Sequence, residues 1–292
     1  MELLIGKRQK FNVVCDEWLE YKKMRIKEST YANYKLKITN YLKKDFGERN
    51  LKEIANINLN RYVEELQFKL SSKTVKDIIT VLKSILKYAE RKYNMDFKLD
   101  LVSTPLTTTK EAEVFNERER KKIEEYILDS DNIMNLGILI SMYTGLRIGE
   151  VCALKWSDID FESKKIRIRH TVQRIYMSKK NSKLVITSPK TKNSVREIPI
   201  APILYKKLKE ISKQYKKDTF ILSGLKERPI EPTGYRYTYN KILKECHIPY
   251  KKFHCIRHTF ATRCIRVGMD VKSLSEILGH SNVSVTLGIY VH

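Results

Sequence analysis

The strongest constraint on this chain's fold is a change of period. Over the first hundred residues, apolar side chains recur every three or four positions, the spacing of a buried helical face. Between residues 163 and 200 they alternate and turn β-branched, and afterwards the helical spacing returns. The pattern predicts helices throughout, interrupted by one small antiparallel sheet. In the first block, Phe11, Val14, Trp18, Leu19 and Met24 fall near helical spacing. Ser29 or Thr30 can cap a second helix bearing Tyr31, Tyr34, Ile38, Tyr41 and Leu42. A third is expected near 59–70. A fourth, begun by Ser71 or Ser72, carries Val75, Ile78, Ile79, Leu82, Ile85, Leu86 and Ala89. Four short helices make a small bundle.

The stretch LDLVSTPLTTTKEAEVF is rich in Thr, holds a proline and has no period. It predicts a linker at 101–112 between a helical domain, 1–100, and a second domain, 113–292. Beyond it, Asn116 can cap one helix and Gly145 can end the next. KKIRIRHTVQ, LVITSP and VREIPI are expected strands, with Pro189, Asn193 and Ser194 turning a hairpin between the last two. The expected fold is mainly α with a small antiparallel β-sheet in the C-terminal domain. No internal repeat is evident.

Charge narrows the partners. The 292 residues hold 57 Lys and Arg against 34 Asp and Glu, a net of +23. The excess is spread along the chain, +8 over residues 1–100 and +15 over the rest, so both parts suit a polyanion. A hydrophobic fraction of 42% excludes global disorder. No apolar run reaches signal-peptide or bilayer-spanning length. The five cysteines form no C-x-x-C pair and several sit in apolar runs, which predicts reduced core thiols of a cytosolic protein.

Four segments concentrate chemistry. FHCIRHTF holds two of the chain's 6 histidines and an arginine. His254 and Arg257, three apart at a helix start, can meet an anion, although a capping His with a surface Arg fits equally well. The face of that helix is expected to carry Ile256, Phe260, Cys264 and Val267, with a stop at Gly268. His254 and His258 stand four apart as zinc ligands can, but no Glu follows the first. In TGLRIGEVCALKWSDID, Arg147 stands at a helix junction and Glu150 can orient it, either as a structural pair or as part of a site. Asp158 and Asp160 are expected in a turn, since no third carboxylate follows at ligand spacing. SPKTKNSVREIPI puts Lys190 and Lys192 on the expected hairpin, where exposed lysines are common. The C-terminal run places Asp270 as a cap, Gly279 as a stop, His280 directly after it, Ser281 as a further cap and Tyr290 near the end. Helix, glycine, helix suits a DNA-reading helix-turn-helix, but Val283, Val285, Leu287 and Ile289 offer no contacts to base edges.

Taken in order, Arg in TGLRIGE, Lys in PKTKNSVREIP, His-x-x-Arg in HCIRH, His in LGH and Tyr in IY resemble the tyrosine recombinase (phage integrase) family over roughly residues 113–292. The N-terminal helices are similar to that family's SAM-like core-binding domain. The resemblance implies a two-domain clamp on DNA and cleavage through a 3′-phosphotyrosyl intermediate. Tyr290 would be the nucleophile, Arg147 and Arg257 the phosphate clamp, His254 a base and Lys190 the acid, with Lys192 the other candidate. His280 would bond the phosphate, with Glu150 and His258 in support. No cofactor and no metal are expected. The implied partners are double-stranded DNA with inverted core repeats and further copies of the chain, a tetramer on two sites that is monomeric or weakly associated when free. The implied location is the cytoplasm of a bacterium, as a bacterial or phage-encoded protein associated with the nucleoid. A topoisomerase or a non-catalytic DNA-binding protein is the alternative. Relatives usually carry a further segment after the tyrosine, and this sequence ends two residues beyond Tyr290, so either assembly does not run through such a segment or the chain is truncated. Recognition of distant arm sites is not expected, as no extra small domain precedes residue 1.

Overall fold

The computed structural model describes residues 9–106, 112–178, 181–187, 195–280 and 282–290, with residues 289 and 290 described without their side chains. It divides into two compact units, 1–109 with 175–183, and 110–174 with 184–292.

The first unit is helical: α1 (Phe11–Lys23), α2 (Glu28–Lys37), a π-helical turn (Ile38–Leu42), α3 (Lys43–Phe46), α4 (Leu51–Ala55), α5 (Leu59–Gln67) and α6 (Ser72–Tyr93). The longest, α6, starts where Ser71 accepts a hydrogen bond from the Thr74 amide, and it buries the seven apolar residues expected of it. With Phe11, Val14, Trp18 and Leu19 of α1 they form the core. Three expectations are corrected. The bundle is not four short helices, for α6 alone runs 22 residues. Neither Ser29 nor Thr30 caps α2, which begins one residue earlier behind Lys27. Met24 is 92% exposed because α1 ends just before it and the turn carries it off the face. Within the stretch expected to link the domains, Val102 is buried in this core, and Ser103 donates through its backbone to Asn60.

The second unit holds α7 (Glu117–Leu128), α8 (Ile133–Thr144), α9 (Ile148–Ala153), β1 (Ile159–Asp160), β2 (Lys165–Ile168), most of β3 (Thr171–Tyr176) and β4 (Ser182–Thr187), β5 (Arg196–Pro199), α10 (Pro202–Ser212), α11 (Pro232–Glu245), α12 (His254–Arg266), α13 (Val271–Leu278) and α14 (Val283–Tyr290), with 175–176 of β3 and 182–183 of β4 falling in the first. Asn116 and Glu119 close a reciprocal capping box at the head of α7. Apolar on nearly every side, α8 runs through the centre and packs against α7, α9, α10, α11 and α12. All five cysteines are buried free thiols.

The sheet differs from the expected hairpin. β5 pairs with β2, Ile198 opposite Ile166, and β2 pairs with β1, Ile159 opposite Ile166, while β4 pairs with β3 in a separate two-stranded sheet. The strands flanking 188–194 thus belong to different sheets. Alternation reveals a strand's faces but not its neighbour, because either partner satisfies the same pattern. Pro189, Lys190, Lys192, Asn193 and Ser194 lie outside the described residues, as does Ser281. On α12 the buried face runs through Ile256, Arg257, Ala261 and Cys264, with Phe260 half-buried. Val267, expected on that face, is 82% exposed because it is the C-cap, past the last packed turn.

Gly145 ends α8 with a φ of +67°, and a β-carbon there would stand 2.6 Å from Phe260 Cδ1 and 2.8 Å from Leu278 Cδ2. Gly145→Ala is expected to cost at least about 1–2 kcal/mol from the left-handed backbone alone, with the packing conflict added. Chemical denaturation of the purified variant measures this, and a midpoint equal to wild type would contradict it.

Candidate active site

The carbonyl end of α13 gathers three arginines. Arg257, 1% exposed, comes from the buried face of α12. Its Nη2 donates to Leu278 O at 2.8 Å and its Nη1 to Gly145 O at 2.8 Å. Arg147, the N-cap of α9, donates through Nη1 to Leu278 O at 3.2 Å and through Nη2 to Gly279 O at 3.4 Å. Arg196, the first residue of β5, donates through Nε to Ile277 O. The last carbonyls of a helix have no partners within it and carry its negative dipole end, so they suit guanidinium groups. Gly279 makes the approach possible. Its φ is +64°, and a β-carbon there would lie 2.9 Å from Arg196 Nη1.

Glu150 supplies the full negative charge. Its carboxylate is 3.0 Å from Arg147 Nη1 on one oxygen and 3.0 Å from Arg196 Nη2 on the other, and it also caps the Arg147 backbone N–H at 3.0 Å. Burial alone would raise its pKa, but Arg196 and Arg147 hold it below the ordinary carboxylate value. Arg196 was not singled out from the sequence. In VREIPI it stands beside a glutamate on a strand, with nothing local to mark it, and only the pairing of β5 brings it to Glu150.

His280 follows Gly279 and faces the same cluster. Its Nε2 is 2.8 Å from Arg257 Nη2, and its Nδ1 is 2.8 Å from Thr286 Oγ1. Partial burial, then the positive charges of Arg257, Arg147 and Arg196, lower its pKa to about 4. His254, the first residue of α12, keeps an exposed edge and meets His258 edge to face, ring centroids 4.6 Å apart. Loss of water around its ring, with His258, Arg257 and Arg147 nearby, lowers its pKa to about 4 as well. His258 is lowered by burial and by Arg257. The structure thus brings together Arg147, Glu150, His254, Arg257, His258 and His280. Tyr290 ends α14, its side chain outside the described residues, as are Lys190 and Lys192. Asp158 accepts the Lys155 amide and pairs with Arg169 in a turn, as expected, whereas Asp160, expected in the same turn, stands on β1 opposite Lys165. Among the described residues, no group of His, Cys, Asp or Glu could hold a metal ion, and no helix is long and apolar enough to cross a membrane.

Buried arginines beside neutral histidines make a site for a tetrahedral oxyanion, and a mainly helical unit with small antiparallel sheets carries it. The profile of the Phage integrase family matches residues 108–292, and that of the Phage integrase N-terminal SAM-like domain matches 10–67. The chain belongs to the phage integrase family of tyrosine recombinases and is a site-specific recombinase, an enzyme of DNA strand transfer. It is 33% identical to a tyrosine recombinase XerC-like protein of Caldanaerobacter subterraneus subsp. tengcongensis, over 94% of this chain and 77% of that one. It is 27% identical to the integrase of Staphylococcus phage L54a, over 97% and 88%. The integrase of transposon Tn1549, solved in complex with circular intermediate DNA, superposes with a TM-score of 0.74 at 25% identity, covering 96% of this chain and 95% of that one. A lambda integrase dimer on a core site shares the fold, with a TM-score of 0.71 at 15% identity, over 97% and 95%.

The depressed histidines set an acid limit. In the unfolded chain they take up protons near their ordinary value of about 6.5, but in the fold His254 and His280 do so only near pH 4. Stability is therefore fully present above the unfolded value and is lost as pH falls from there toward 4. Glu150, held low, adds a loss in the same direction at lower pH. Melting temperature across this range is expected to fall, and less steeply in His280→Gln. Equal slopes for the two proteins would contradict the assignment.

Proposed function

We propose that Tyr290 is the nucleophile of a cleavage that stores the bond energy of a DNA phosphodiester. Its phenolic oxygen attacks phosphorus, the bond to the 5′-oxygen breaks, and a 3′-phosphotyrosyl enzyme and a 5′-hydroxyl result. Attack by another strand's 5′-hydroxyl reverses the step and joins the new strand, so no external energy source is needed. Arg147 and Arg257 take the charge that gathers on the non-bridging oxygens, and His280 bonds one of them. His254 accepts the tyrosine proton. Being neutral at physiological pH, it is in the form that can do so, and an arriving phosphate offsets the cations that depress it. His258 braces His254, and Glu150 orients Arg147. Lys190 protonates the leaving 5′-oxygen, with Lys192 the alternative. The observation that carries this reading is the convergence of Arg147, Arg257 and His280 at the end of α13, where Arg147 pairs with the buried Glu150 and Arg257 bonds the His280 ring.

Residues 113–292 act as the catalytic domain and 1–100 as the core-binding domain, joined by 101–112. The DNA partner carries inverted core repeats, and four copies act on two sites. Relatives named as integrases, one of them solved with circular intermediate DNA, support the DNA assignment.

A nicked DNA substrate that loses its short 5′ fragment traps the intermediate. The full chain is expected to give a covalent protein–DNA band that is absent in Tyr290→Phe, with DNA binding retained. A band that persists in the variant removes Tyr290 from the role, and binding without any band points to a non-catalytic DNA-binding protein.

The two lysines separate by leaving group. Lys190→Ala is expected to slow cleavage by about 10²–10⁴-fold, as for loss of a general acid. Sulfur in place of the 5′-oxygen restores the rate, because a thiolate leaves unprotonated. Lys192→Ala is expected to lose little and to gain nothing from sulfur. The opposite pattern moves the role to Lys192.

A further inference from the structure

Thr286 has no role in the chemistry above, yet it is fully buried, and its hydroxyl lies 2.8 Å from Nδ1 of His280. The other ring nitrogen, Nε2, lies 2.8 Å from Arg257 Nη2. A guanidinium donates only and never accepts, so Nε2 must be the acceptor and carries no hydrogen. The ring is then neutral, its one N–H is on Nδ1, and that N–H donates to Thr286 Oγ1. Thr286 is one helical turn before Tyr290 on α14, a rise of about 6 Å.

We propose that Thr286 is a positioning residue for recombination. It fixes the tautomer and the aim of His280, and through that ring it ties the tyrosine-bearing helix to the arginine cluster. The inference rests on the assignment of His280 and Tyr290 given above. A hydroxyl suits the task because it accepts from Nδ1–H in both ring states. When a phosphate enters, Nε2 takes a proton from solvent and turns from accepting Arg257's hydrogen to donating one to a phosphate oxygen. Nδ1–H keeps its partner throughout, so α14 stays held while the charge on the ring changes. Valine has the same outline and offers no acceptor; serine keeps the acceptor. The charged and titratable groups around the ring are Arg257 and His254 of α12, Arg147 at the head of α9, Arg196 of β5, and Lys272 and Glu276 of α13. The pKa of His254 is lowered to about 4 as that of His280 is, so His254→Gln serves as the background in which the ring is titrated.

The test compares the full-length chain with Thr286→Val and Thr286→Ser. Nitrogen-15 histidine spectra at neutral pH report the tautomer, the His280 signal being the one lost in His280→Gln. Wild type and Thr286→Ser are expected to show Nδ1–H, and Thr286→Val a mixture or the Nε2–H form. On the nicked substrate, Thr286→Val is expected to form the covalent band about 10–100-fold more slowly, by analogy with the loss seen when the outer partner of a metal-bound histidine is removed. Its DNA affinity should be unchanged, its rate should depend differently on pH, and Thr286→Ser should recover most of the loss. An Nε2–H ring in wild type, or cleavage by Thr286→Val at the wild-type rate and pH profile, overturns the proposal. If Thr286→Val does not fold, the wild-type tautomer and the Thr286→Ser rate decide. If wild type gives no covalent band, the catalytic reading falls and the role in recombination with it, while the spectra still report whether Thr286 holds the ring.

Discussion

Everything in the site depends on how three guanidinium groups are kept together without repelling one another apart. The carbonyl oxygens of Ile277, Leu278 and Gly279 each accept from one or two of them, and the buried Glu150 carboxylate bridges Arg147 and Arg196. A single carboxylate does not balance three cations, so the cluster stays electropositive after all its structural bonds are made. Breaking the Glu150–Arg196 pair from one side would leave a charge uncompensated in a place that water barely reaches, which is far costlier than losing a surface ion pair. The arrangement therefore stabilises one geometry and leaves a standing attraction for an anion.

The histidines report that imbalance. His280 and His254 are held neutral by the same field that draws a phosphate in. Neutral rings suit both tasks assigned to them, since a base must begin unprotonated and a ring bonded to a guanidinium must accept. An entering phosphodiester brings the compensating charge and lifts both pKa values. Substrate binding and readiness for proton transfer are thus coupled by simple electrostatics, with no moving part required beyond the ring's change of role.

Much of this was legible beforehand because helices declare themselves locally. The buried stripe of α6, the Asn116 cap, the Asp270 cap and the stops at Gly145 and Gly279 follow from spacing and from residue types that only certain backbone positions favour. Met24 and Val267 misled for a shared reason: periodicity has no marker for the last packed turn, so an apolar residue one position beyond it looks like a continuation of the face. The strands misled differently. VREIPI alternates correctly, but its partner is β2 and not the strand before it, and sequence proximity says nothing about that choice.

The sequence by itself determined the inventory: an ordered set of Arg147, His254, Arg257, His280 and Tyr290, in a chain basic from end to end. Arg147, His254, Arg257 and His280 each lie close to a local signal, a glycine stop or a helix start, and such signals act over a few residues. What only the tertiary structure decided is which groups share a charge. Arg196 meets Glu150 across 46 positions, Arg257 meets Gly145 across 112, and Thr286 is bound to a ring whose far side faces another helix. Those bonds have no local signature, because burial in a common core, not spacing along the chain, sets the low dielectric in which they form.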